Sequence, residues 1–157
     1  MKKFILIAIL AITGIAAAVA QPRAIGANIG YGVDISYQHT VGQSNVIDLS
    51  LNFPGFAGIG ASATYDWLNP FGAVIPWDYE GQWNWYMGVG AGLGTHRFKS
   101  LYTGVVGHVG ISYDFWFPLQ LSVDWRPNIG INWVPNTPIH FNEQGLYGFS
   151  LGVRYLF

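Results

Sequence analysis

The chain has 157 residues, enough for one domain, and 51% of them are apolar and 17% aromatic while only 10% carry charge. Seven Lys and Arg against eight Asp and Glu leave no basic face for nucleic acid. The absence of cysteine excludes disulfides, thiolate metal sites and a lipidated N-terminal cysteine.

Lys2 and Lys3 precede an apolar run, Phe4 to Ile15, that gives way to the small residues Ala18-Val19-Ala20. A basic start, an apolar middle and an A-x-A site predict a cleaved secretory signal over residues 1–20, with Thr13 and Gly14 arguing against a membrane anchor. The expected mature domain, residues 21–157, then has five basic residues against eight acidic ones, a net charge of −3.

Beyond that point no apolar run reaches the ~18 residues of a membrane helix. Hydrophobicity instead alternates with a period of two. Tyr31, Val33, Ile35 and Tyr37 alternate with Asp34 and Ser36, and Ile47, Leu49, Leu51 and Phe53 with Asp48, Ser50 and Asn52. The pattern continues through 57–67, 83–94, 104–115, 118–126 and 146–157, with Asp66, His108, Asp114, Asp124, Arg126 and Arg154 on the polar faces. Strands with one greasy face each are the reading.

A soluble sandwich or lipocalin-like barrel alternates too, with its apolar face inward. Here the polar face is rich in Gly, Ser and Asp but poor in Lys and Glu, unlike a solvated exterior. The apolar faces end repeatedly in an aromatic (Tyr37, Phe53, Trp67, Trp83, Tyr113, Trp125, Phe157), as an interfacial girdle does. The expected orientation is therefore apolar side outward, into lipid.

Seven alternating segments are evident, whereas bacterial single-chain barrels have even strand numbers. Residues 24–39 exceed the ~9–11 that span a membrane, and Gly30-Tyr31-Gly32 is a candidate turn, so the segment is divided into 24–30 and 31–39. The rival eighth strand is 129–134. All eight prolines are expected outside strand interiors, with short connections at 41–44, 54–56 and 116–118 and longer ones at 68–82, 95–103 and 127–145. The resulting expectation is an all-β protein, an eight-stranded antiparallel transmembrane β-barrel in up-and-down meander order. A periplasmic C-terminus puts 41–44, 116–117 and the long 69–82 connection on the periplasmic side.

Phe149, Leu151, Val153, Tyr155 and Phe157 resemble the C-terminal signal of outer-membrane barrels. With 34–39, 82–86 and 117–127, this strand is similar to small porin-family barrels of Bacteroidota, of the OmpX and OmpA-barrel type. The resemblance implies the fold, an outer-membrane location and recognition of the last strand by the barrel-assembly machinery. It carries over no catalytic residue.

An eight-stranded barrel is just wide enough for side chains to fill. Asp34, Asp48, Asp114, Asp124, Arg126, Arg154 and His108 are its expected interior polar network, with Arg126 and Arg154 bridging aspartates, Asp124 and Asp114 first. Gly88, Gly90, Gly92 and Gly94 are expected to leave room for bulky neighbours such as Tyr86. His108, Ser112 and Asp114 share a face, but residues four apart on a strand lie roughly 13 Å from one another, too far for a triad. His39, His96 and His140 show no ligand spacing, so no catalytic, cofactor or metal site is expected. The predicted role is structural, or binding through outer loops that meet lipopolysaccharide or an extracellular ligand. A lipid A deacylase-like enzyme and a narrow solute pore are the alternatives.

Overall fold

The computed structural model describes residues 23–72, 80–96, 100–133, 140–141 and 146–157; the expected signal over 1–20 lies outside them. Ten strands follow in order: β1 (Arg23–Gly30), β2 (Gly32–Val41), β3 (Asn45–Pro54), β4 (Gly58–Pro70), β5 (Gly81–His96), β6 (Ser100–Phe115), β7 (Leu119–Trp125), β8 (Asn128–Trp133), β9 (His140–Phe141) and β10 (Phe149–Leu156). Each of β2 to β7 pairs antiparallel with its predecessor, and β10 closes the ring between β7 and β1. β8 and β9 add no stave. β7 meets β6 up to Trp125↔Val109 and β8 resumes at Asn128↔Val106, an advance of three residues on both sides. β7 and β8 are therefore one stave without a bulge, and β9 turns back from its end. The fold is the expected eight-stranded up-and-down barrel.

The division of 24–39 occurs at Tyr31, where Ile29 pairs with Val33. A Cβ on Gly30 would overlap the Phe149 carbonyl, and one on Gly32 the Phe53 carbonyl, so only glycine lets the hairpin pass this close to its neighbours. Three expectations about connections change. The 95–103 segment is mostly strand, leaving 97–99 between β5 and β6. Part of 127–145 is strand as well, since 128–133 prolongs β7. Pro54 and Pro70 end their strands, but Pro127 sits inside a stave. Pro127 still accepts from the Gly107 amide at 2.8 Å while lacking the N–H that would complete the pair.

The ladder registers fix the barrel's dimensions. The row Asn84–Ser112–Ser122–Gly152–Asn28–Asp34–Asn52–Gly60 circles the barrel once and returns to β5 at Gly94, ten residues beyond its start. Eight strands with a shear of ten tilt by about 40° and enclose a backbone cylinder of about 8 Å radius. Every residue in that row is polar or glycine.

Burial is inverted relative to a water-soluble core. Ile25, Ile35, Leu51, Met87, Val109, Val123 and Leu151 are exposed, while Arg154, His108, Asp124 and Asn28 are fully buried. Among the described residues, the buried hydrophobics are only Ala24, Val46, Tyr86 and Val106. Arg23 and Phe157 join through reciprocal backbone bonds at one end, called here the near end, which also carries the 42–44 and 116–118 turns. The opposite, far end carries Tyr31 and the 55–57 turn.

Candidate functional site: a buried charged network

The inward parity of eight strands sends small polar and charged side chains into one narrow lumen, where they find each other across the barrel. Arg154 on β10 is the most fully bonded. Its Nε donates to Ser36 at 2.9 Å, Nη1 to Ser122 at 2.7 Å and Gln120 at 3.1 Å, and Nη2 to Asn28 at 3.0 Å and Asp124 at 3.3 Å. Gly152 and Gly26 make this possible, since a Cβ on either would run into the arginine side chain or its partners.

Asp124 is the hub. Besides Arg154 it accepts from Ser122 at 2.7 Å, from the Tyr86 hydroxyl, and from His108 Nε2 at 3.2 Å. The other ring nitrogen of His108, Nδ1, lies 2.7 Å from Asp66. With a carboxylate beside each ring nitrogen, His108 donates to both when it is protonated. Asp48 accepts from Ser50 at 2.7 Å, Gln38 at 3.0 Å and Arg126 Nη1 at 3.1 Å. Arg126 starts on the β7–β8 stave and ends on β3, the opposite wall, where Nη1 also donates to Ser50. Three buried acids, Asp48, Asp66 and Asp124, thus face Arg126, Arg154 and the His108 ring. With His108 protonated the charges of this centre balance, as burial of charge demands.

The expected residues fall into two groups. Asp48, Asp124, Arg126, Arg154 and His108 meet in the network. Asp34, half-buried on β2, lies outside those ion pairs, and Asp114 stands apart, held by Asn84 at 3.0 Å and Gln120 at 2.8 Å. The arginines divide differently from expectation: Arg154 takes Asp124, but Arg126 takes Asp48 rather than Asp114. Register explains this, because Asp114 pairs with Gln120, and Arg126 lies six residues farther along that stave toward the far end. Asp66 and Tyr86 complete the network. Their inward parity is legible in the alternation, but their partnership with His108 and Asp124 is not. The expected spacer role of the glycines is distributed: Gly88 admits the Asp66 carboxylate and Gly94 the Tyr102 ring, while Tyr86 lies against Gly110, where a Cβ would meet its ring at 2.5 Å.

Asp48, Asp66 and His108 place ligand atoms within 4.8 Å of one another, close enough for a metal ion. Arg126 already occupies Asp48, and the His108 nitrogen nearest Asp66 donates to it. The Arg126 guanidinium already supplies Asp48 with the positive charge that an ion would bring. Ser112 Oγ has no partner among the described groups, and both His108 nitrogens are committed to carboxylates, so His108, Ser112 and Asp114 form no nucleophile–base pair.

Phe149, Leu151, Val153 and Tyr155 all face outward on β10, and Phe157 follows them at the near end. The near end also carries an outer aromatic cluster: Trp83–Tyr113, Tyr113–Phe115 and Phe115–Phe117 have ring centroids 4.9, 4.8 and 5.0 Å apart. Compared with known protein families, with proteins of described function and with solved structures, the chain matches none.

Proposed function

We propose that the protein is a small integral barrel of a bacterial outer membrane, plugged by its own side chains, with a structural or loop-mediated binding role and no catalysis. One observation carries this reading: the exposed face is apolar on every stave and the buried face is polar. In water that arrangement would expose a very large apolar surface while burying charge, wrong on both counts. In a bilayer it is the required one, because the ladder satisfies the backbone and lipid covers the outside.

The dimensions support the same reading. Outward residues of β6 from Val105 to Phe115 rise about 25 Å at a tilt of about 40°, the height of an outer-membrane barrel's apolar band. Aromatics gather at the near end, where an interfacial girdle would lie. On this reading residues 1–20 are the cleaved export signal, and the near end faces the periplasm. The last strand is then the segment offered to the barrel-assembly machinery, and lipopolysaccharide surrounds the far end, in keeping with an OmpX-like barrel.

Cell fractionation and gel migration test the proposal. The folded protein is expected in the outer-membrane fraction and to run at a different apparent mass before and after boiling. Recovery as a soluble periplasmic protein would reject it. A pore reading predicts discrete conductance in planar bilayers, whereas the crossing Arg126 and the bonded Arg154 predict silence.

A further inference from the structure

The far rim of the barrel is not level. At a tilt of about 40° a strand climbs about 2.5 Å along the barrel axis per residue, and each step along a ladder row climbs about 3 Å. On that scale Arg23 and Asn84 stand at one height near the near end. Tyr31, in the β1–β2 turn, lies about 20 Å above them, whereas Ser100 at the top of β6 and Trp133 at the top of β8 lie about 33 Å above them. The barrel therefore has a short wall, β10–β1–β2, and a tall one, β5–β6–β8. The apolar band of an outer-membrane barrel is about 25 Å tall, so the short wall ends inside it. The outward face of β5 and β6 stays apolar up to Thr95 and Thr103, which stand about 6–8 Å above Tyr31.

The short rim has the chemistry of that depth. Residues 29–33, 53–59 and 146–149 include no charged side chain, and the hydroxyls of Tyr31 and Tyr147 are their only polar side-chain groups. Turns that meet water are rich in Asn, Asp and Ser. The Gly55 amide donates to the Tyr31 carbonyl at 2.9 Å, and the Tyr31 ring lies over Gly55, so the β1–β2 and β3–β4 turns form one surface. Tyr31 is 69% exposed and Phe56 78%. Phe56 also has φ +54°, beside Gly55 at +53°, in a two-residue turn where Asn and Gly are usual. A large apolar side chain held in a strained backbone conformation and turned away from the protein is unfavourable on both counts in water. Ile29, Phe149 and Leu151 are exposed below it, so the apolar surface runs unbroken from the belt to this rim.

We propose that the short rim is a lipid-docking surface: Tyr31, Phe56 and Tyr147 lie among the acyl chains of the outer leaflet, and the far end reaches water only on its tall side. The inference rests on the barrel's place in a bilayer. Continuity with the belt favours lipid over a second copy of the chain or another protein as the occupant. The consequence is that loop-mediated binding is confined to the tall wall, because the β1–β2 and β3–β4 turns stay inside the lipid.

The chain has no cysteine, so a nitroxide can be placed on single Cys variants of the protein folded into lipid vesicles, with folding checked by gel migration. Power-saturation EPR then compares dissolved oxygen, which concentrates among acyl chains, with a water-soluble nickel chelate. Labels on Tyr31→Cys and on the mid-belt Leu151→Cys are expected to be relaxed several-fold more by oxygen than by nickel, and a label on Thr103→Cys more by nickel. If Tyr31→Cys does not fold, Phe56→Cys carries the same comparison. Nickel preference at the rim with oxygen preference at Leu151→Cys would overturn the inference and leave the membrane reading standing. Nickel preference at both would overturn that reading itself. A rim label shielded from both reagents would assign the surface to a protein partner instead of lipid. Equal oxygen preference at Tyr31→Cys and Thr103→Cys would put both walls at one depth and reject the uneven rim.

Discussion

At the scale of single residues, the network makes its members interdependent. Asp124 answers Arg154, His108 and Tyr86 at once. Asp124→Ala would strand the buried Arg154 and leave His108 with Asp66 alone, and a loss of about 3–5 kcal/mol is expected in urea unfolding from lipid vesicles. Asp48→Leu alone should cost a similar amount by orphaning Arg126. Pairing it with Arg126→Met should recover most of that loss, because removing both charges leaves nothing buried and unpaired. A double variant no more stable than Asp48→Leu would show that the ion pair is not what holds the two walls. Gly110 is under a steric constraint instead. Gly110→Ala drives a methyl into the Tyr86 ring, so a loss of about 1–3 kcal/mol is expected, and it should be smaller in a Tyr86→Ala background.

At the scale of elements, the long stave is the informative one. Pro127 interrupts the ladder between β7 and β8, yet the register runs through it unchanged. The opposite residue, Gly107, has no side chain and sits with its Cβ position 3.0 Å from the proline ring, so the ring fits where a larger partner would push the strands apart. Pro127→Ala supplies the missing donor to the Gly107 carbonyl. Against the lost rigidity of proline, the added bond should leave a net gain of about 1 kcal/mol or less, together with a slowly exchanging amide at position 127. Fast exchange there would mean that the pair stays open.

At the scale of the whole molecule, the balance is between an apolar belt and a neutral plug. Leu151 is 62% exposed near mid-height of that belt, and Leu151→Arg should destabilise folding into vesicles by about 2–4 kcal/mol if the belt faces lipid. The same change at an exposed position of a water-soluble protein would be nearly neutral, so this experiment separates the two environments directly.

The period-two alternation, the polar parity of Asp48, His108, Asp124 and Arg154, and the Gly30-Tyr31-Gly32 turn were readable from the chain alone. Each is local: a strand turns successive side chains to opposite faces whatever it pairs with, and a tight hairpin needs small residues wherever it lies. Pro127 was misleading for the same reason, because a missing N–H looks like a strand end until the glycine across the ladder is known. Which charges meet was decided only in three dimensions. His108 and Asp66 stand in one ladder row and meet over Gly88 on the strand between them, whereas Arg126 reaches Asp48 across the lumen because a shear of ten tilts the strands. That tilt is a property of the closed ring, and no single strand contains it.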